Sequence, residues 1–387
     1  MNNKKHLLLL VCMIIFLLSG CWGRNEPERM LYVHGLGIEY KDGEYQVYTQ
    51  IIDFTSTAKL AQPTRSPVQS EVGLGTGETV DEAIFDLYNS VDQRVYWGHL
   101  SYIVFSEEAL KGGALNPVVD SFIRYRDTRY QILLYSTTDP VKDVLLTTPI
   151  INTAITLSKL GDPRNSYEQD SFVLPITMRT LIIGFDEPSH EVAIPYITVT
   201  ENWETVEKKS KVANLSGVGI ITPTEFKGFI AHDKANGLQW MTNKTRRGEI
   251  SVKSKEGDKN HQSLIIDKLK VKVEPNVTQS AVTFSIEVSF NIAVSAMQGD
   301  TTYSKLQREV EEQVKKEIRE TYEEALKLDV DIYRLSEHLY RKDLKAWKRL
   351  QKDGKVELTE ESIDSLHVQV TRIKSGRRSL TERFGRQ

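Results

Sequence analysis

The chain has 387 residues, 40% hydrophobic and 27% charged, with 23 Gly and 12 Pro. This is the usage of a folded water-soluble body, which excludes a fibrous or wholly disordered chain, and at about 150 residues per domain it predicts two to three domains. Lys plus Arg number 50 against 53 Asp plus Glu, a formal charge of −3, so no basic surplus exists to neutralise phosphates and no nucleic-acid partner is expected.

The first twenty residues read as a cleaved signal peptide. Lys4 and Lys5 make a positive start, and Leu7 to Leu18 form an apolar run of 12, too short as a helix to cross about 30 Å of hydrocarbon. Leu18, Ser19, Gly20 and Cys21 then have the form of a lipobox: an apolar residue and two small ones that fit a peptidase cleft, followed by a cysteine whose sulfur takes a diacylglyceryl group. The alternative is an ordinary cleaved signal followed by a chance cysteine. Two acyl chains hold a protein at a bilayer where one is marginal. Cys12 leaves with the signal, so no thiol remains for a disulfide, zinc or redox role, and loss of Lys4 and Lys5 takes the formal charge from −3 to −5. The body is expected to be extracytoplasmic and membrane-held.

Residues 31–54 read as a hairpin about Lys41-Asp42-Gly43. The Ser/Thr/Pro/Gly-rich stretch 56–77 follows. Thr79-Val80-Asp81-Glu82 is a capping box for a helix with the stripe Val80, Ala83, Ile84, Leu87, Tyr88 and Val91. A strand over 100–105, a helix opened by Ser106, a helix from Asn116-Pro117 to about Tyr125, a strand over 130–136 and a helix from Asp139-Pro140 to Leu146 complete an N-terminal α/β or α+β domain, 21–146.

Residues 147–248 read as a β-rich middle domain with one helix over 151–160 and strands over 192–200, 212–221, 227–231 and 238–242. In the third domain, 249–375, two alternating strands over 264–274 and 281–296 flank a Pro275-Asn276 turn. Helices over 303–328 and 332–350 and a strand over 364–373 follow. Leu306, Val310, Val314, Ile318, Tyr322 and Leu326 form a narrow stripe on the first helix; packing on its own sheet is favoured over a coiled-coil partner because the i+4 spacing drifts from a heptad. The fold class is thus α+β, three consecutive domains, each a mixed or antiparallel sheet with packed helices.

The signs of an enzyme are weak. Gly73-Leu74-Gly75-Thr76-Gly77 precedes a helix but lacks the ending of a phosphate-binding loop and reads as a flexible entry to the helix. No HExxH or GxSxG is present, and no metal or cofactor is expected beyond the lipid on Cys21. His34 and His99 meet only if their strands are neighbours. Asp53, Asp81 and Glu107 are explained by solvated faces and helix caps, although a general acid/base pair among the carboxylates stays open.

The chain resembles the GerC-type lipoproteins, C-subunits of spore nutrient germinant receptors. The resemblance lies in Cys21-Trp22-Gly23-Arg24, Gly35-Leu36-Gly37-Ile38, Gly77 to Ala83, Gly98 to Val104, Phe122 to Arg129, Leu215 to Ile220 and the two late helices with Trp347. It implies a non-enzymatic lipoprotein that works beside an A-subunit and a membrane-embedded B-subunit at the spore inner membrane, in assembly or signal coupling that initiates germination. A solute-binding or cell-wall-acting lipoprotein is the alternative. The chain departs from the family at its end, where 376–387 form a basic tail. Arg372, Lys374, Arg377, Arg378, Arg383 and Arg386 against Glu382 give +5 over the last 16 residues. The tail is read either as a solvated end or as a contact for anionic headgroups or an acidic partner.

Overall fold

The computed structural model describes residues 30–52, 70–124, 129–206, 209–253, 261–297 and 302–374, together with His6. Leu18, Ser19, Gly20, Cys21 and Asp53, and the tail residues Arg377, Arg378, Arg383 and Arg386, lie outside the described residues.

Strands β1 (Met30–Lys41) and β2 (Glu44–Ile52) pair as the expected hairpin. Asp42 and Gly43 turn it with φ of 55° and 89°, the left-handed pair that matches strand twist. Next to β2 lies β3 (Ser70–Gly77), so the glycine run read as a flexible entry is a paired strand. Its glycines let the backbone of helix α1 (Val80–Tyr88) sit directly on it: a Cβ at Gly75 would lie 1.9 Å from the Ala83 carbonyl oxygen. Thr79 caps α1, its hydroxyl accepting from the Glu82 amide at 3.1 Å, while the Glu82 carboxylate reaches back to the Glu78 amide at 2.9 Å.

Strand β4 (Arg94–Tyr96) runs parallel to the start of β1, and β5 (Tyr102–Ser106) runs parallel to its centre. Helices α2 (Glu107–Lys111) and α3 (Leu115–Arg124), strand β6 (Leu133–Thr137) and helix α4 (Val141–Leu145) follow. All five residues of β5 are buried: Ile103 and Phe105 join the core with α2 and α3, and Tyr102 and Val104 join the one with α4. A strand covered on both faces has no polar side to show, hence its unbroken apolar run.

Strands within 192–231, read above as part of a middle domain of its own, contribute to this same sheet. Helices α5 (Arg164–Gln169) and α6 (Met178–Asp186) precede strands β7 (Val192–Glu204), β8 (Lys209–Ile221) and β9 (Phe226–Ala231). The sheet order is β3-β2-β1-β5-β6-β7-β8-β9, with β4 beside β1. The join is short: the β6–β7 ladder consists of Ser136 with Tyr196 and Thr137 with Ile197.

Two elements here differ from the periodicity. The helix expected over 151–160 is a pair of 3-10 turns, Ile150–Asn152 and Ile155–Leu157, with Ile151 at φ 59°; this stretch is rich in β-branched residues, which lose side-chain freedom in a helix. The strand expected over 238–242 is a short helix, α7 (Gly237–Trp240), docked through hydrogen bonds to residues much later in the chain.

The second body holds a four-stranded sheet. Strands β10 (Gly248–Lys253), β11 (His261–Val277) and β12 (Val282–Met297) lead to helices α8 (Tyr303–Lys327), α9 (Leu335–Lys342) and α10 (Leu344–Leu350). A small hairpin, β13 (Gln351–Lys352) with β14 (Lys355–Val356), precedes β15 (Ile363–Lys374), which returns parallel to β12 and gives the order β10-β11-β12-β15. Pro275, expected in a turn, pairs opposite Phe284 inside the ladder. The ladder tolerates it because β10 pairs β11 only over 261–266, leaving the proline's donorless side on an edge. The α8 stripe Leu306, Val310, Val314, Ile318 and Tyr322 is buried on its own sheet. Asp343 divides the helix expected over 332–350: its backbone leaves the helical region and its carboxylate caps α10, accepting from the Ala346 amide at 2.9 Å. The architecture is α+β, mixed sheets with packed helices.

Candidate functional site

The two bodies meet across an apolar cluster that joins Val173, Val218, Ile220 and Ile230 to Ala325 and Val330. Beside it runs a polar seam. Glu191, just before β7, is only 5% exposed; its Oε2 accepts from the Asp331 amide at 2.6 Å, and its Oε1 lies 3.4 Å from the Lys355 ammonium. Lys355 also pairs with Asp329 at 2.9 Å. The Asp331 side chain, 2% exposed, accepts from the amides of Leu335 and Ser336, both at 2.7 Å, and from the Ser189 hydroxyl at 2.8 Å. A carboxylate there satisfies orphan donors in the first turn of α9. The Ser189 amide donates to the Gly354 carbonyl at 2.8 Å, and the Arg334 guanidinium donates to the Glu191 carbonyl at 3.2 Å.

Burial pushes the Glu191 carboxyl up to about 7; the Asp331 amide and Lys355 oppose the rise, and the Asp331 charge adds to it. A carboxyl at that value changes charge near neutrality, at the point where the two bodies touch.

A cleft of about 450 Å³ opens next to the seam, between α6, the β7–β8 face, the 238–242 segment and the start of α9. Its lining includes Phe172, Val218, Ile220, Leu238, Met241 and Ile332. On the same cleft Arg341 reaches Glu187 of the first body at 3.5 Å and also bonds Glu337, which Arg334 holds as well. Burial lowers the His338 pKa.

The other residues singled out by sequence fall elsewhere. His34 lies on β1 and His99 in the turn just before β5, the neighbour of β1, where the Ser101 amide donates to the His34 carbonyl at 2.9 Å. His34 is 2% exposed and burial brings its pKa down to about 4, so it is a neutral ring packed edge-on to Tyr102. Asp81 accepts from the Ser121 hydroxyl at 2.7 Å and Glu107 pairs with Lys111 at 2.7 Å, at separate places. Among the described residues no group of three or more His, Cys, Asp or Glu is placed to hold a metal, and no helix is long and apolar enough to cross a membrane. Sequence reading missed the seam because Glu191 and Asp331 are 140 residues apart. Its one local trace is a charged Glu191 set directly against the apolar run of β7.

Known proteins resemble the chain along most of its length. Residues 23–199 match the family model for the spore germination protein N-terminal domain, and residues 216–376 match that for the spore germination B3/GerAC-like C-terminal region. The chain is 21% identical over 377 residues to spore germination protein KC of Bacillus subtilis (strain 168), covering 91% of each chain. It is 24% identical over 281 residues to spore germination protein B3 of the same organism, covering 71% of this chain and 70% of that one. Among solved structures, the crystal structure of the GerBC protein superposes with a TM-score of 0.50 at 17% identity, covering 88% of this chain and 97% of the other, and shares its fold. With both family models matched in order along nearly its whole length, the chain belongs to the GerC-type family of spore germination proteins.

Proposed function

We propose that the chain is the lipid-anchored C-subunit of a spore nutrient germinant receptor, acting beside an A-subunit and a membrane-embedded B-subunit in receptor assembly or signal coupling. The observation that carries this reading is the ordered match of both germination family models from residue 23 to 376. The lipobox Leu18-Ser19-Gly20-Cys21, immediately ahead of that match, supports attachment through a diacylglyceryl group on Cys21 to the extracytoplasmic face of the spore inner membrane. No catalytic step is assigned to it; the family descriptions name germination rather than a reaction. The basic residues Arg377, Arg378, Arg383 and Arg386 would add attraction to anionic headgroups, about 1 kcal/mol for each residue near the surface.

Affinity purification of the tagged chain from spore membranes in mild detergent tests the assignment, with co-purification of two further membrane proteins as the expected result. A chain that extracts alone, from spores whose nutrient response is unchanged by its deletion, overturns it. Cys21→Ser tests the anchor separately: the variant is expected in the soluble fraction, and persistent fractionation with membranes refutes lipid attachment through that residue.

A further inference from the structure

The cleft between the two bodies is built like a small-molecule site. Its volume of about 450 Å³ lies within the roughly 300–1,000 Å³ of such sites. Its apolar lining, Phe172, Val218, Ile220, Leu238, Met241 and Ile332, comes from both bodies, so the space between them is open rather than filled by either.

The charges around it select the polar end of a ligand. Glu337 is engaged by both Arg334 and Arg341, Glu187 by Arg341, and Glu191 by Lys355. Asp331 is saturated by two amides and a hydroxyl. Lys244 also lines the cleft, and among the described residues it is the one cation of the lining without a carboxylate at ion-pair distance. A lysine lays its methylene stem along apolar surface while its ammonium seeks an anion, so it suits the mouth of an apolar cavity. His338, whose charged form burial disfavours, lies on the same lining.

We propose that this cleft binds a small apolar carboxylate, its hydrocarbon or ring packed between the two bodies and its carboxylate held by Lys244. The attraction is directional in chemistry: an uncharged molecule of the same shape gains the apolar contact and loses the ion pair. The proposal goes beyond the receptor assignment and does not depend on it, because it is read on the purified chain without partners.

The test is isothermal titration of the soluble body, residues 22–387, with 3-phenylpropanoate and with 3-phenylpropan-1-ol, after circular dichroism has shown it folded. The acid is expected to bind saturably and about three- to fivefold more tightly than the alcohol, as a solvent-accessible ion pair allows. Lys244→Met keeps the stem and is expected to bring the two to parity. Ala193→Phe and, independently, Thr242→Trp place bulk on two different walls and are expected to abolish binding of both, with thermal melts confirming that each variant folds. Absence of saturable binding to wild type below about 10 mM overturns the proposal. So does equal affinity for acid and alcohol, or undiminished binding in both filled variants.

Discussion

The indole N–H of Trp240 donates to Glu317 Oε2 at 2.6 Å, and the ring it belongs to is fully buried. The bond pins the segment that links the two bodies onto α8, with Thr321 helping: its hydroxyl donates to the Lys234 carbonyl at 2.6 Å and accepts from the Gly237 amide at 2.9 Å. Gln313 donates to the other oxygen of Glu317 at 2.9 Å. Burial raises the Glu317 pKa, and these two donors work against it. A short helix of four residues has no stability of its own and exists here because tertiary bonds hold it.

Removing either end of that bond leaves a buried polar group without its partner. Trp240→Phe and Glu317→Ala are each expected to destabilise the protein by about 1–3 kcal/mol in urea unfolding, and the double variant by less than the two together. Additive losses would show that the pair does not act as a unit.

The Glu191 carboxyl makes stability depend on pH. Its value in the folded protein, about 7, lies above the ordinary 4.5, so the folded state holds the proton more tightly than the unfolded chain. Its contribution is therefore fully present below about pH 4.5, is lost as pH rises to about 7, and is level above that. The groups facing it are Asp331, Lys355 and Arg334, with Asp329 beyond Lys355; the Lys355 pKa is raised by its pairing, so that ammonium stays charged throughout the window. Relative to Glu191→Gln, wild type is expected to lose about 2–3 kcal/mol between pH 4.5 and 7.5. Parallel melting curves for the two across that range would rule the linkage out.

Gly75 and Gly43 are glycines for different reasons and should respond differently. A side chain at Gly75 runs into the backbone of α1, so Gly75→Val is expected to cost more than about 3 kcal/mol. Nothing lies within 4 Å of a Cβ at Gly43, which is constrained only by its φ of 89°. Asn tolerates that region, so Gly43→Asn is expected to cost under about 1 kcal/mol. Thermal melts of the two variants decide the matter.

Asp331→Ala strips the acceptor from the first turn of α9 and from Ser189 at once. A loss of about 2–4 kcal/mol is expected, with faster hydrogen exchange at the Leu335 and Ser336 amides. Asp331→Asn, which keeps one carbonyl oxygen, is expected to retain part of both.

Local chemistry was legible from the residues alone. The Asp42-Gly43 turn, the Thr79 cap with its Glu82 partner, the buried stripe of α8 and the α+β class all follow from preferences that a few neighbouring residues impose on each other. What sequence could not decide was governed by partners far along the chain. The glycines of β3 look mobile until α1 is laid on them, Gly237 to Trp240 look extended until Glu317 and Thr321 bind them, and the β6–β7 join rests on two residue pairs that leave no period to read. The seam of Glu191, Asp331 and Lys355, and the cleft beside it, exist only where surfaces of the two bodies meet. Periodicity reports which face of an element is covered, and burial and hydrogen bonding across 140 residues decide by what.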